Sequence, residues 1–264
     1  KNLPQNNMLK ILRVKSSEFI DETNRVSFKF NGKTYYGFKG DTLASALLAN
    51  NVHLIGRSFK YHRPRGVMTA GSEEPNAIVQ VNDNTNRTEP NVRATEIEIY
   101  EGLEASSQNC WPSVKFDIGG INNFLSPFFP AGFYYKTFMW PASFWKKYEF
   151  FIRHSAGLGK SPTSKDPDIY DHRNIHCDVL VVGAGISGIL AAKNSAKNNY
   201  KTLLLEEKNE LGGITIFENN EFNKIDNKIS SEWLKKEIEE LKNIKNLEVK
   251  TRTSVAAYHQ YNYL

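Results

Sequence analysis

Only two cysteines, Cys110 and Cys177, occur among 264 residues, and no C-x-x-C spacing is present. This excludes a disulfide framework and a four-thiolate metal or iron–sulfur site, and it fits a reducing, cytoplasmic compartment. No apolar run approaches the ~18 residues of a membrane span. Residues 1–20 also lack the apolar core of a secretory signal. Neither sign of charge dominates: 34 Lys and Arg against 29 Asp and Glu leave +5. The lysines are scattered among Asn and Glu, a solvated surface and not a nucleic-acid face. The chain starts at Lys1 instead of Met and stops at Leu264, soon after a strand-like stretch, and so reads as a fragment cut at both ends. Its length allows two domains, and 40% hydrophobic with 24% charged residues is an ordinary globular composition.

What is present is concentrated in Cys177–Gly213. Val179 to Val182 form a short apolar run that reads as a strand buried on both faces. Gly183, Gly185 and Gly188 follow as G-x-G-x-x-G, and Ile189, Leu190, Ala191, Ala192 and Ala196 supply a helix face. A second strand, Thr202–Leu205, ends at Glu206. Gly183 permits a sharp turn, Gly185 leaves room for a pyrophosphate, and Gly188 lets helix and strand pack closely. The N–H groups and dipole at the helix start attract phosphate. Glu206 can accept from a ribose diol and repels a 2′-phosphate, so NAD or FAD is expected and NADP is not. Gly212–Gly213 is a common companion in two-dinucleotide flavoproteins, where this loop closes over the cofactor. Ser230 or Ser231 then caps a helix through Asn243, and Leu247–Val255 returns as a strand whose backbone near Val255 approaches an adenine.

The N-terminal part reads differently. Residues 1–24 are a polar arm. Arg25–Phe30 and Lys33–Phe38 flank Asn31-Gly32, the best short hairpin signal, since both turn residues tolerate positive φ. Asp41 can cap a helix with Leu43, Ala44, Leu47 and Leu48 on its apolar face, and Ala77–Val81 and Arg93–Tyr100 read as later strands. That order predicts a small β-grasp domain like a plant-type ferredoxin over 25–104. Such a ferredoxin needs C-x₄-C-x₂-C after the helix. Gly56–Ala77 holds no cysteine, so the expected domain is free of a cluster.

That loop is basic, with Arg57, Lys60, His62, Arg63 and Arg65 interleaved with Phe59 and Tyr61. It reads as a subunit contact or an anion site, with Glu73 and Glu74 neutralising part of it. His62 reads as a hydrogen-bonding loop residue, because no other ligand sits at metal spacing. Residues 105–175 are a connector. Phe124–Phe151 is dense in rings but broken by Pro127, Pro130 and Pro141 and by Lys136, Lys146 and Lys147, so it is no membrane helix. Its rings read as anchors between domains or as a partner or cofactor surface. Ser161–Asn174 reads as a linker into the dinucleotide-binding domain, 176–264.

GDTLASALLANNVHLIGRSFKYHRPRG, AGSEEPNA, SQNCWPSVKFD, AGFYYKTFMWP and DVLVVGAGISG closely resemble the N-terminal part of the α subunit of heterotetrameric sarcosine oxidase, from about Arg25 onward. The resemblance implies a cluster-free ferredoxin-like domain followed by a truncated, Rossmann-like doubly wound domain that binds NAD. It implies oxidation of sarcosine (N-methylglycine) to glycine by O₂, giving hydrogen peroxide and formaldehyde or a methylene-folate. FAD would sit on the β subunit and FMN between α and β, with γ and δ completing the complex. No part of this chain matches the folate-binding half. Carried over by position, the NAD site falls on Gly183, Gly185, Gly188, Ser187, Glu206, Glu207, Lys208, Gly212, Gly213 and Ile214. The family often has Asp at the Glu206 position. Opine oxidases and hydrogen cyanide synthases share much of this architecture, and some keep cluster cysteines. Within the segment no nucleophile, metal set or acid–base pair calls for catalysis. A non-catalytic nucleotide-binding scaffold of such a complex is therefore the competing reading.

Overall fold

The computed structural model describes residues 13, 20–82, 88–128, 132, 138, 140–216 and 224–264. The chain divides into two compact units, Lys1–Asp168 and Ile169–Leu264.

The first unit begins with the expected hairpin. Strand β1 (Asp21–Phe30) pairs antiparallel with β2 (Lys33–Lys39), and Asn31 and Gly32 turn at φ of 49° and 74°. Helix α1 (Leu43–Ala49) follows. Its cap is Thr42, which accepts from the Ser45 N–H at 3.2 Å, and not Asp41. Asp41 is fully buried instead, accepting from the Phe38 N–H at 2.9 Å and the Ser45 hydroxyl at 2.7 Å and pairing with Arg13. The buried stripe of α1 holds Ala46 where Leu48 was expected. The reason lies in β2: a Cβ at Gly37 would stand 3.1 Å from the Ala46 methyl, so helix and strand meet through their smallest residues.

Short strands β3 (Gly56–Arg57) and β4 (Pro64–Arg65) pair with each other. Strands β5 (Ile78–Asn82), β6 (Thr88–Arg93) and β7 (Leu103–Ser107) complete a five-stranded sheet in the order β2-β1-β7-β5-β6. Only β1 and β7 pair in parallel, Phe28 opposite Leu103 and Phe30 opposite Ala105. Phe28, Phe30, Leu43, Leu47, Val79 and Leu103 fill the core between sheet and helix. This mixed sheet crossed by one helix is the arrangement expected from the hairpin–helix–strand order. The strand expected over Arg93–Tyr100 does not form. Its alternating Ile97 and Ile99 do reach the core, but the backbone of this stretch bonds the start of α1. Ala94 and Ile97 carbonyls accept from Ala44 and Leu43 at 2.8 Å, and Ile99 donates to the Asp41 carbonyl at 3.0 Å. The sheet takes β7 instead, which runs across the expected domain boundary at residue 104.

Beyond the sheet lie α2 (Ile121–Phe124) and α3 (Trp145–Ala156). Among the described rings of this region Phe124, Phe128 and Trp140 are 83%, 74% and 84% exposed, while Phe138 and Tyr148 are half-buried and meet at 5.3 Å. Residues 129–131, 133–137 and 139 of the aromatic segment fall outside the described residues.

In the second unit, β8 (Val179–Val182), α4 (Ile186–Lys197), β9 (Thr202–Leu205), the small pair β10 (Lys224–Ile225) and β11 (Lys228–Ile229), α5 (Ser230–Lys242) and β12 (Leu247–Lys250) follow in turn. The sheet is parallel with the order β12-β9-β8. Strand β9 is therefore central, and Thr202, Leu203 and Leu204 are buried. Among the described strands β8 lies at the edge of this sheet, and Val182 is 57% exposed where burial on both faces was expected. Ile189, Ala192, Leu204, Trp233, Leu234 and Leu241 pack the helices onto the sheet. The N-cap position of α5 is Ile229, one residue before the serines expected there. Strand β12 ends at Lys250 and not at Val255, because the chain there turns back toward Glu206.

Candidate dinucleotide site

The parallel order places the carboxyl ends of β8 and β9 side by side, and both ends lead into loops that bear the expected residues. Gly183 leaves β8 at φ of 90°, where a side chain is strained. Gly188 sits where an added Cβ would come within 1.8 Å of the Gly183 carbonyl oxygen, so only glycine lets α4 close on the strand. Gly185 is a different case. Its backbone, at φ −69° and ψ −176°, suits any residue, and an added Cβ would meet nothing within 4 Å. The folded protein does not itself need glycine there, and the missing side chain leaves open space at the start of α4. Gly185 is the N-cap of that helix and supplies no capping side chain, so the first-turn N–H groups face this space uncapped by any side chain. Ser187 lies in the same turn, exposed.

The double glycine, distant in sequence, comes to this loop. Gly212 donates to the Ala184 carbonyl at 2.7 Å, and a Cβ on Gly213 would stand 3.2 Å from the Gly185 Cα. Ile214 follows, 70% exposed. At the end of β9, Glu206 is buried, while Glu207 is exposed and Lys208 half-buried. Thr253 and Arg252 donate to the Glu206 and Lys208 carbonyls, both at 2.9 Å, and Val255, two residues further on, is half-buried. A residue that the sequence reading missed, Ala184, joins these parts. It is fully buried, and its N–H donates to Glu206 Oε2 at 2.6 Å. Lys193 fixes α4 to α5 through Glu237 and Glu240, at 2.5 and 2.7 Å. Burial favours its neutral form, but those two carboxylates outweigh burial and raise its pKa above the usual lysine range.

These features fit an ADP-containing dinucleotide: an open cradle, uncapped helix donors and a carboxylate at the strand end. They can bind and orient a ligand; none is a nucleophile or a proton-transfer pair.

The basic loop of the first unit is largely engaged with its own fold. Arg57 donates to the carbonyls of Val114, His62 and Lys115 at 2.8, 3.1 and 3.2 Å. His62 Nδ1 lies 2.7 Å from Asp117 Oδ2, the hydrogen-bonding role expected of it. Arg63 donates to Asn123 at 2.8 Å and lies over the Tyr61 ring. Glu74 does not neutralise these cations. It is buried and accepts from the N–H groups of Met68, Thr69, Asn76 and Ala77 at 2.6–3.1 Å. Burial alone would raise its pKa, but the four N–H donors prevail and hold it below the usual carboxylate range. Burial, then the Asp117 charge, pushes the Cys110 thiol upward against the opposing Arg57.

Two domain families match these units. Residues 23–110 match the 2Fe-2S iron-sulfur cluster binding domain, and residues 178–254 match the FAD dependent oxidoreductases. The first match lies within the first unit and the second within the second. More particularly, the chain is homologous to sarcosine oxidase α subunits. It is 48% identical to "Sarcosine oxidase subunit alpha" of Rhizobium meliloti (strain 1021) over 95% of its length and 25% of that protein's. To the subunit of the same name in Corynebacterium sp. (strain U-96) it is 30% identical over 93% of its length and 20% of the relative's. The chain therefore spans about a quarter or less of these relatives. L-proline dehydrogenase from P. horikoshii shares the fold, with a TM-score of 0.54 and 18% identity over 93% of this chain and 38% of that one. Among the described residues no helix is long and apolar enough to cross a membrane, and no group of three or more His, Cys, Asp or Glu side chains is placed to hold a metal.

Proposed function

We propose that this chain is the dinucleotide-binding and subunit-docking part of the α subunit of a flavin-linked sarcosine oxidase. The observation that carries the reading is the cradle at Gly185, open although the fold has no need of glycine there, in a chain 48% identical to such a subunit. In this reading the amine is oxidised on the FAD of a β subunit, with FMN between α and β, and γ and δ subunits complete the complex. Sarcosine gives glycine, hydrogen peroxide and formaldehyde or a methylene-folate. Gly183, Gly185, Ser187, Gly188, Gly212, Gly213 and Ile214 surround the nucleotide, and Glu206, Glu207, Lys208 and Val255 flank its adenosine. The nucleotide is NAD, held away from the reacting amine. The match of residues 178–254 to FAD dependent oxidoreductases favours FAD as the second candidate in the same cradle.

The ferredoxin-like domain carries no cluster in this proposal. Residues 23–110 contain one cysteine, Cys110, where a plant-type cluster needs four thiolates, and the environment of Cys110 disfavours its thiolate. The competing reading, a non-catalytic scaffold of an opine oxidase or hydrogen cyanide synthase complex, shares the site but not the substrate.

One experiment addresses these points together. The purified complex is mixed anaerobically with sarcosine while flavin and nicotinamide absorbance are followed, and the cofactors and iron are then released by denaturation. Flavin bleaching without NADH, with NAD released and no stoichiometric iron, is expected. NADH formed in step with sarcosine overturns the NAD assignment. Absence of any bleaching overturns the sarcosine reading.

A further inference from the structure

Glu206 is expected to meet a ribose diol, yet its carboxylate is already bonded inside the protein. Oε2 accepts from the Ala184 N–H at 2.6 Å and Oε1 from the Lys208 N–H at 3.0 Å, and the residue is 6% exposed. The post that bears it is rigid: its own N–H donates to the Lys250 carbonyl and its carbonyl accepts from Thr253, both at 2.9 Å. Ala184 is the residue between the first two glycines of the loop. Its N–H is held by Glu206, and its carbonyl is held by the Gly212 N–H at 2.7 Å. The preceding Gly183 N–H donates to the Leu205 carbonyl at 2.8 Å. The centre of the glycine loop is thereby gripped from the end of β9 and from the double glycine, by bonds within the protein.

This grip matters because glycine loses more conformational freedom on ordering than any other residue. A loose G-x-G segment would have to order itself when the phosphates arrive, at the expense of affinity. A carboxylate offers about four lone-pair positions, and two serve the backbone here. We propose that Glu206 is a positioning residue that sets the glycine loop in its phosphate-ready form before any nucleotide binds, in addition to facing the ribose. The proposal rests on the dinucleotide-site reading and gives the acid at the strand end a second role.

Residue-resolved amide hydrogen exchange on the nucleotide-free full chain tests this directly. In the wild type, the Ala184 and Lys208 amides are expected to be protected. Glu206→Ala should speed exchange at both by about 10- to 100-fold, the range that follows from losing a hydrogen bond to a charged acceptor. Glu206→Gln keeps one acceptor oxygen, so one of the two amides should lose protection; amides of α1 should not change. An Ala184 amide that exchanges freely in the wild type overturns the proposal, and so does unchanged protection in the variants. If the Ala variant does not fold, the wild-type and Gln rates decide. Failure of the site itself reads out separately. Gly185→Val leaves the grip intact, and undiminished dinucleotide affinity in that variant sinks the site while leaving the exchange result standing.

Discussion

Gly185 and Gly188 belong to one fingerprint, yet alanine at the two positions should have opposite consequences. At position 188 the new methyl would lie 1.8 Å from the Gly183 carbonyl oxygen and 3.0 Å from its carbon. Gly183 cannot yield, because its N–H is bonded to Leu205 at 2.8 Å and its φ of 90° belongs to glycine. Helix α4 would have to lift from β8 by more than about 1 Å, and forced overpacking of this kind costs about 1–3 kcal/mol. For a unit of this size that lowers Tm by about 4 °C or more. At position 185 the backbone suits alanine and nothing lies within 4 Å. Folding should be unharmed, or gain up to about 1 kcal/mol from the stiffer unfolded chain. The methyl would instead enter the cradle, so affinity for ADP-ribose should fall about tenfold or more, worth at least ~1.4 kcal/mol. Thermal and urea melts, with calorimetric titration of ADP-ribose, measure both halves. A Gly188→Ala protein as stable as wild type, or a Gly185→Ala protein destabilised by more than about 1 kcal/mol, would refute the reasoning.

Glu74→Gln should destabilise the first unit by about 1–3 kcal/mol at neutral pH, since an amide nitrogen cannot accept from the N–H groups that face it. Because the folded pKa of Glu74 lies below its ordinary value of 4.5, its contribution is complete above that value and disappears as pH falls through the folded pKa. Urea midpoints of the variant should therefore depend less on pH in the acid range than those of wild type; an unchanged acid dependence would show that other carboxylates govern it. Replacing Arg63 and Arg65 together with Ala should leave the fold intact but weaken assembly with partner subunits or lower flavin content, measured by sedimentation and absorbance. Full assembly with full flavin content refutes that role, and competitive duplex DNA binding at physiological salt by the wild type would favour the nucleic-acid alternative.

Local signals in the sequence determined much of this protein. Asn31-Gly32 specifies its hairpin because two consecutive residues must take positive φ, and the glycine spacing from Gly183 to Gly188 specifies a strand, a tight turn and a helix. The absence of cysteine from Gly56–Ala77 is likewise complete in the sequence. Other features depend on partners far along the chain. Ile97 and Ile99 alternate like a strand, but whether their backbone joins a ladder or bonds the start of α1 is settled by where α1 lies. The exposure of Val182 follows from the order of the described strands, which the apolar run Val179–Val182 does not encode. Arg57 and Glu74 looked like a surface cation and its neutralising anion. Only the tertiary structure turns one onto the carbonyls of residues 62, 114 and 115 and the other onto four N–H groups of its own loop. The same holds for Glu206. Its type and distance from the glycines were legible as a ribose ligand, because that pattern is local to one strand–helix–strand unit. Its bonds to Ala184 and Lys208 arise only when β9 lies beside β8 and carries the carboxylate to the glycine loop.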